Sequence, residues 1–161
     1  MTTPKPRPVF IYGTLCAMPL LAWALTGDAS NVSYVSKLAQ PARLDGYKRF
    51  SLHNRDYPAV VKHEPHSSVD GYLLILDTTS QRRKLDDFEG EIYKPVPVDV
   101  TILDSDKRPQ NETVEADVYL WAGDDDLLAE DPWELEVFEK EKLEDWLDLF
   151  GGMELVGEDE E

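Results

Sequence analysis

The sequence predicts an α+β domain dominated by antiparallel sheet, and three observations carry that expectation. Short runs rich in β-branched and aromatic residues recur along the chain, each bounded by Gly, Pro or Asx turn residues. Helix-period patterns are few and short. No segment repeats another, so at 161 residues the elements are expected to share one core in one domain.

Taken in order, residues 1–8 hold Pro4, Pro6 and Pro8, which lack backbone donors, and are expected to be a disordered lead. Val9–Tyr12 is an unbroken apolar run ended by Gly13, as expected of a buried strand. The apolar stretch Leu15–Leu25 is too short to span a bilayer. Pro19 interrupts it, and the small residues of Ala22-Trp23-Ala24 lie inside it, not after it. A buried helix over Pro19–Leu25, stopped by Gly27-Asp28, is therefore expected in place of a signal peptide, and with it a cytoplasmic protein. Val32–Leu38 and Gln40–Phe50 are expected as strands from their β-branched and aromatic content, with Asp45-Gly46 as a turn. Tyr57–Val61 predicts a short strand with Pro58 at its entry, and Val69–Leu76 a buried one.

Thr78, Thr79 or Ser80 offers an N-cap for a helix through Phe88, with Leu85 and Phe88 on its inner face. Tyr93–Leu103 and Thr113–Trp121 both alternate with period two and predict a hairpin across the polar turn Asp104–Glu112. Asp131-Pro132-Trp133-Glu134 has the pattern of a helix start, with Asp131 as cap and Pro132 at the first helical position. Trp133, Val137, Trp146, Leu147 and Phe150 would form its apolar stripe, and Gly151-Gly152 its end. The expected organisation is a lead over 1–8, a single domain over 9–152 with an acidic C-terminal helix within 123–152, and an acidic tail over 153–161.

Charge is uneven. The net charge is −17, yet residues 1–100 hold 12 Lys+Arg against 11 Asp+Glu, while residues 101–161 hold 4 against 22. That acidity argues against nucleic acid or an anionic membrane as partner of the last third. Solubility is its simplest use, and a basic protein is the partner it would suit. Cys16 is the single cysteine, which rules out an intrachain disulfide and favours a reducing compartment. No histidine lies near it in sequence, so it is expected to be a buried structural thiol and not a nucleophile. No His/Cys cluster suggests a metal, and no cofactor is expected.

Two local patterns suit chemistry. In Tyr12-Gly13-Thr14-Leu15 a buried strand breaks at a glycine that permits positive φ and close approach of a ligand. Successive turn amides there suit a carboxylate or a developing oxyanion, and Thr14 adds a hydroxyl. In Leu85-Asp86-Asp87-Phe88-Glu89-Gly90 a glutamate follows a bulky aromatic, and an apolar neighbour raises a carboxyl pKa towards neutrality. Asp86 and Asp87 are expected to be solvated helix-face carboxylates. Tyr72 and Tyr93 are expected as core or rim aromatics whose phenols could reach a substrate carboxylate.

Together these patterns resemble the gamma-glutamylcyclotransferase-like family, in its avirulence-induced-gene-two-like and gamma-glutamylamine cyclotransferase branches. Tyr12–Leu15 matches the family's glutamyl-binding loop, and Glu89 stands at the position of its catalytic glutamate. Tyr57-Pro58-Ala59 and Val69-Asp70-Gly71-Tyr72-Leu73 resemble further family strands, and Val118-Tyr119-Leu120-Trp121 the late strand that brings a pocket tyrosine, here Tyr119. One departure is Pro95, which stands where the family commonly has Arg after the tyrosine at Tyr93. The resemblance implies a small antiparallel β-barrel with flanking helices. It also implies an intramolecular acyl transfer that turns a gamma-glutamyl small molecule into 5-oxoproline and a free amine, without a cofactor. A non-catalytic binding module on the same fold is the alternative.

Overall fold

The computed structural model describes residues 6–53, 55–89, 93–104, 106, 108–129, 131 and 133–151. Val9–Ile11 (β1), Ala39–Asp45 (β2), Ser68–Leu74 (β5), Tyr93–Leu103 (β6) and Pro109–Trp121 (β7) close into a five-stranded barrel in the order β1-β5-β2-β6-β7. All neighbours are antiparallel except the closing pair, where β1 runs parallel to β7. Tyr47–Leu52 (β3), Ala59–Lys62 (β4) and the two-residue Leu128–Ala129 (β8) form a second, three-stranded sheet in the order β4-β3-β8. The helices are Met18–Thr26 (α1), Val32–Leu38 (α2), Thr79–Glu89 (α3), Leu135–Glu141 (α4) and Leu143–Gly151 (α5).

The apolar run of β1 follows from its two buried faces. Phe10 and Tyr12 point into the barrel with Leu44, Leu73, Ile102 and Val118. Val9 and Ile11 point the other way, into a cluster built by Leu20, Leu21 and Trp23 of α1, Leu85 of α3 and Phe138 of α4. With no solvent face, the strand has no polar position to alternate with. β1 also passes very close to β5. A Cβ on Gly71 would lie 2.1 Å from the Ile11 carbonyl oxygen, so only glycine allows this approach.

The β6–β7 hairpin forms as expected, in register from Tyr93 opposite Trp121 to Thr101 opposite Thr113, and β7 starts earlier than predicted, at Pro109. β6 meets β2 only at Thr101 and Ile102, so its first half is bonded on one side alone. Pro95 and Pro97 are accommodated there because their missing N–H groups cost no ladder bond on the open side. The apolar stretch after the first strand is the expected helix, α1, ended by Gly27 at φ 81°. No helix among the described residues is long and apolar enough to cross a membrane.

Two expectations fail. Val32–Leu38 is a helix, because Val35 and Leu38 are buried three residues apart while Ser33, Ser36 and Lys37 face water. The C-terminal helix does not start at Asp131. Its cap position is Glu134, and the chain breaks at Lys142 into α4 and α5. Asp131 instead gives its carbonyl oxygen to the Ser51 amide and hydroxyl, anchoring β3. Val137 is 47% exposed and Phe138, buried, takes the core position. Pro132, Gly90, Gly152, the tail over 153–161, most of the lead and the Phe150 side chain lie outside the described residues.

Candidate active site

Glu89 is the last residue of α3, placed where the helix end meets the strands β1, β6 and β7. Leu85 anchors the helix in the core, and Phe88 packs partly buried against the same cluster, which fixes the orientation of the turn carrying Glu89. Residue Glu89 keeps some exposed surface, but its carboxyl is desolvated, and this pushes its pKa up to about 8; the Asp86 carboxylate one turn earlier adds to the rise. The unpaired carbonyls of a helix C-terminus act in the same direction.

Three buried tyrosines surround this carboxyl. Glu89 acts electrostatically on Tyr12, Tyr93 and Tyr119, and burial, the larger cause in each, holds all three phenols well above their ordinary pKa. Each phenolic proton already has a protein acceptor. Tyr12 donates to the Tyr119 carbonyl oxygen at 2.5 Å, Tyr93 to the Pro58 carbonyl oxygen at 2.6 Å, and Tyr119 to the Asp86 carboxylate at 2.5 Å. The phenols therefore tie β1, β4, β6 and β7 to the end of α3, and they reach a ligand as acceptors and as ring walls.

Asp86 is thus not the freely solvated carboxylate expected. It receives Tyr119 and, at 3.0 Å, the Arg82 guanidinium, which also bonds Asp117 of β7 at 2.7 Å. Its spacing of three from Glu89 on one helix was a usable signal for a shared face. Of its partners, Tyr119 is the pocket tyrosine that the family resemblance names and Arg82 stands four residues earlier on the same helix, while nothing local identifies Asp117.

The Tyr12–Leu15 segment leaves β1 into a 3₁₀ turn over Thr14–Cys16, in which Cys16 and Ala17 donate to the Gly13 and Thr14 carbonyl oxygens. Thr14 and Leu15 open that turn, so their amides have no acceptor within it. The Thr14 hydroxyl bonds no other described residue. Gly13 adopts φ −120°, so it is not needed for a left-handed turn. It is needed for space: a Cβ there would meet the Pro58 ring at 3.0 Å. Arg49 of β3 holds the start of the loop by donating from Nη1 to the Tyr12 carbonyl oxygen at 2.7 Å, a residue the sequence offered no reason to select.

Cys16 is buried and forms no disulfide. Among the described residues, His63 bonds Ser67 and His66 pairs with Glu64, both around the turn before β5. Pro95 lies exposed on β6, opposite Tyr119 in the hairpin register.

Comparison with known proteins bears on the family and the fold. A family model described as gamma-glutamyl cyclotransferase, AIG2-like, matches residues 9–146. Protein AIG2 C of Arabidopsis thaliana is 27% identical over 150 residues, covering 93% of this chain and 82% of the relative. AIG2-like protein D of the same plant is 28% identical over 141 residues, covering 88% and 84%. In structure, an Arabidopsis thaliana protein solved in solution aligns with a TM-score of 0.60 at 24% identity, over 92% of this chain and 84% of its own. An AIG2-like protein of Mus musculus aligns with a TM-score of 0.50 at 16% identity, over 78% and 85%. These likenesses establish the barrel fold with its flanking helices.

Proposed function

The chain belongs to the AIG2-like gamma-glutamyl cyclotransferase family, and from that premise we propose that it cyclises a gamma-glutamyl compound to 5-oxoproline with release of an amine. The observation that carries this is Glu89: a desolvated carboxyl with a pKa of about 8, beside a loop whose first amides have no partner within their turn. An α-amino group ordinarily titrates at about 8, so a proton passes between the two with little cost in free energy. That match is what general acid–base catalysis requires.

In the proposed reaction the glutamyl α-nitrogen attacks the gamma-carbonyl carbon of the same molecule. Glu89 takes a proton from the α-ammonium, the new C–N bond forms, and the carbonyl oxygen becomes an oxyanion facing the Thr14 and Leu15 amides. Collapse breaks the original C–N bond: Glu89 returns the proton to the departing nitrogen, the second proton that the ring nitrogen sheds on becoming an amide follows it, and the amine leaves as its ammonium ion. Tyr12, Tyr93 and Tyr119 wall the space so that the flexible glutamyl chain is held folded, with its ends in contact. Binding of the ammonium itself lowers the Glu89 pKa, because a positive charge nearby favours the carboxylate.

The test is release of 5-oxoproline from gamma-glutamyl amines, gamma-glutamyl amino acids and glutathione, by wild type and Glu89→Gln side by side. Turnover of any of them by wild type, lost in the variant, supports the reaction and the base. A folded wild-type protein silent on all of them would sink the proposal and leave a binding module.

A further inference from the structure

Beside the loop, β3, the start of β5 and Trp133 line an open cavity of about 360 Å³, bordered by Lys48, Arg49, Ser68, Val69, Asp70 and Trp133. Its charges are not balanced internally. Asp70 is claimed by Arg43, whose Nε lies 2.8 Å from Oδ1. Lys48 lies over the Phe50 ring, 5.1 Å from its centre. Arg49 donates to the Tyr12 carbonyl oxygen and lies over the face of Trp133, 5.4 Å away; Asp70 acts on it at longer range, and among the described residues no carboxylate lies within ion-pair distance of it. A half-buried guanidinium with donors left over towards an open cavity is available to a ligand, and its planar fork suits a carboxylate.

We propose that Arg49 recognises a carboxylate of the ligand from this cavity, with Lys48 adding positive potential at the rim. The inference rests on the gamma-glutamyl substrate proposed above and makes that site selective for an acidic compound. The position is apt: through the Tyr12 carbonyl, Arg49 touches the residue that precedes Gly13, so an anion it holds lies next to the loop. Two carboxylates are available in such substrates, that of the glutamyl part and that of an amino acid released as the amine.

Three probes separate them by calorimetric binding to Glu89→Gln protein, which binds without turnover. Gamma-glutamylalanine carries both carboxylates, gamma-glutamylethylamine only the glutamyl one, and gamma-aminobutyrylalanine only the distal one. Adding Arg49→Gln should raise Kd on the order of ten- to a hundredfold for the probes that carry the recognised group. Losses confined to the two alanine compounds support recognition of the distal carboxylate. Losses confined to the two gamma-glutamyl compounds support the glutamyl one. Lys48→Glu, at an exposed position away from Tyr12, should weaken the same pair. Equal losses on all three probes, or no loss, overturn the inference and leave Arg49 a support for the loop. If wild type turns over neither gamma-glutamyl probe while the binding pattern holds, the reaction falls and the carboxylate site stands. Turnover with uniform losses gives the reverse.

Discussion

At the scale of single residues the chemistry concentrates on Glu89, and its environment sets two expectations. Glu89→Gln should lower kcat/KM by about 10²–10⁴-fold, the usual worth of a positioned proton-transfer group, with near-ultraviolet circular dichroism unchanged. The pH profile of wild-type kcat/KM should be bell-shaped and centred at about 8, rising as the free carboxyl ionises and falling as the substrate's α-ammonium loses its proton. The same shift acts on stability with a definite sign. The folded pKa lies above the ordinary value of 4.5, so the folded protein holds this proton more tightly than the unfolded chain. That contribution is complete below about 4.5 and is lost as pH rises through about 8. Glu89→Gln should therefore melt progressively higher relative to wild type across that window, and parallel melts at pH values on either side of it measure the effect. Glu89 and the Tyr12–Leu15 loop were legible because each is a local pattern of adjacent residues. Asp86, Arg82 and Arg49 were not, since their significance comes from partners such as Tyr119, Asp117 and the Tyr12 carbonyl, which only the closed barrel brings to them.

At the scale of elements, burial decides what composition leaves open. Val32–Leu38 contains the β-branched and aromatic residues of a strand, yet Val32, Val35 and Leu38 recur every three positions, the spacing that α2 uses to cover the core. In the last third the stripe expected through Val137 passes through its neighbour Phe138, since only one of the two can face inward. Phe138→Ala should cost about 3–5 kcal/mol, while Val137→Ala should stay within about 0.5 kcal/mol; urea unfolding of the two variants tests the assignment. The strand contact at Gly71 gives a sharper case. With a carbonyl oxygen 2.1 Å from any added Cβ, β1 and β5 must move apart. Gly71→Ala should cost at least the about 1–3 kcal/mol of an over-packed core, and activity should fall with it because β1 carries Tyr12 and the loop. Between Tyr93–Thr101 and Thr113–Trp121 the hairpin of β6 and β7 was readable, because a period of two on both strands leaves one register that puts Val100, Val114 and Val118 on one face; the extension of β7 back to Pro109 was not.

For the molecule as a whole, the net charge of −17 is a repulsive load on the compact state. Since that charge is nearly all in the last third, no basic surface of equal size offsets it. The melting temperature should rise from low-salt buffer to about 0.15 M salt as screening sets in, and a fall would show that ion pairs such as those of Arg7 and Arg82 outweigh the repulsion. Topology adds a constraint of another kind. The barrel closes by pairing Val9 with Asp117 and Phe10 with Val118, and Tyr12 reaches across 107 residues to Tyr119. During synthesis the first strand and the apolar helix after it leave the ribosome long before the strand that seals them exists. At about 5–20 residues per second that wait is on the order of 5–20 s. For that interval this apolar strand and helix are unsheltered and no catalytic pocket is present. A nascent or truncated chain ending before β7 is therefore a client for a chaperone and not yet an enzyme.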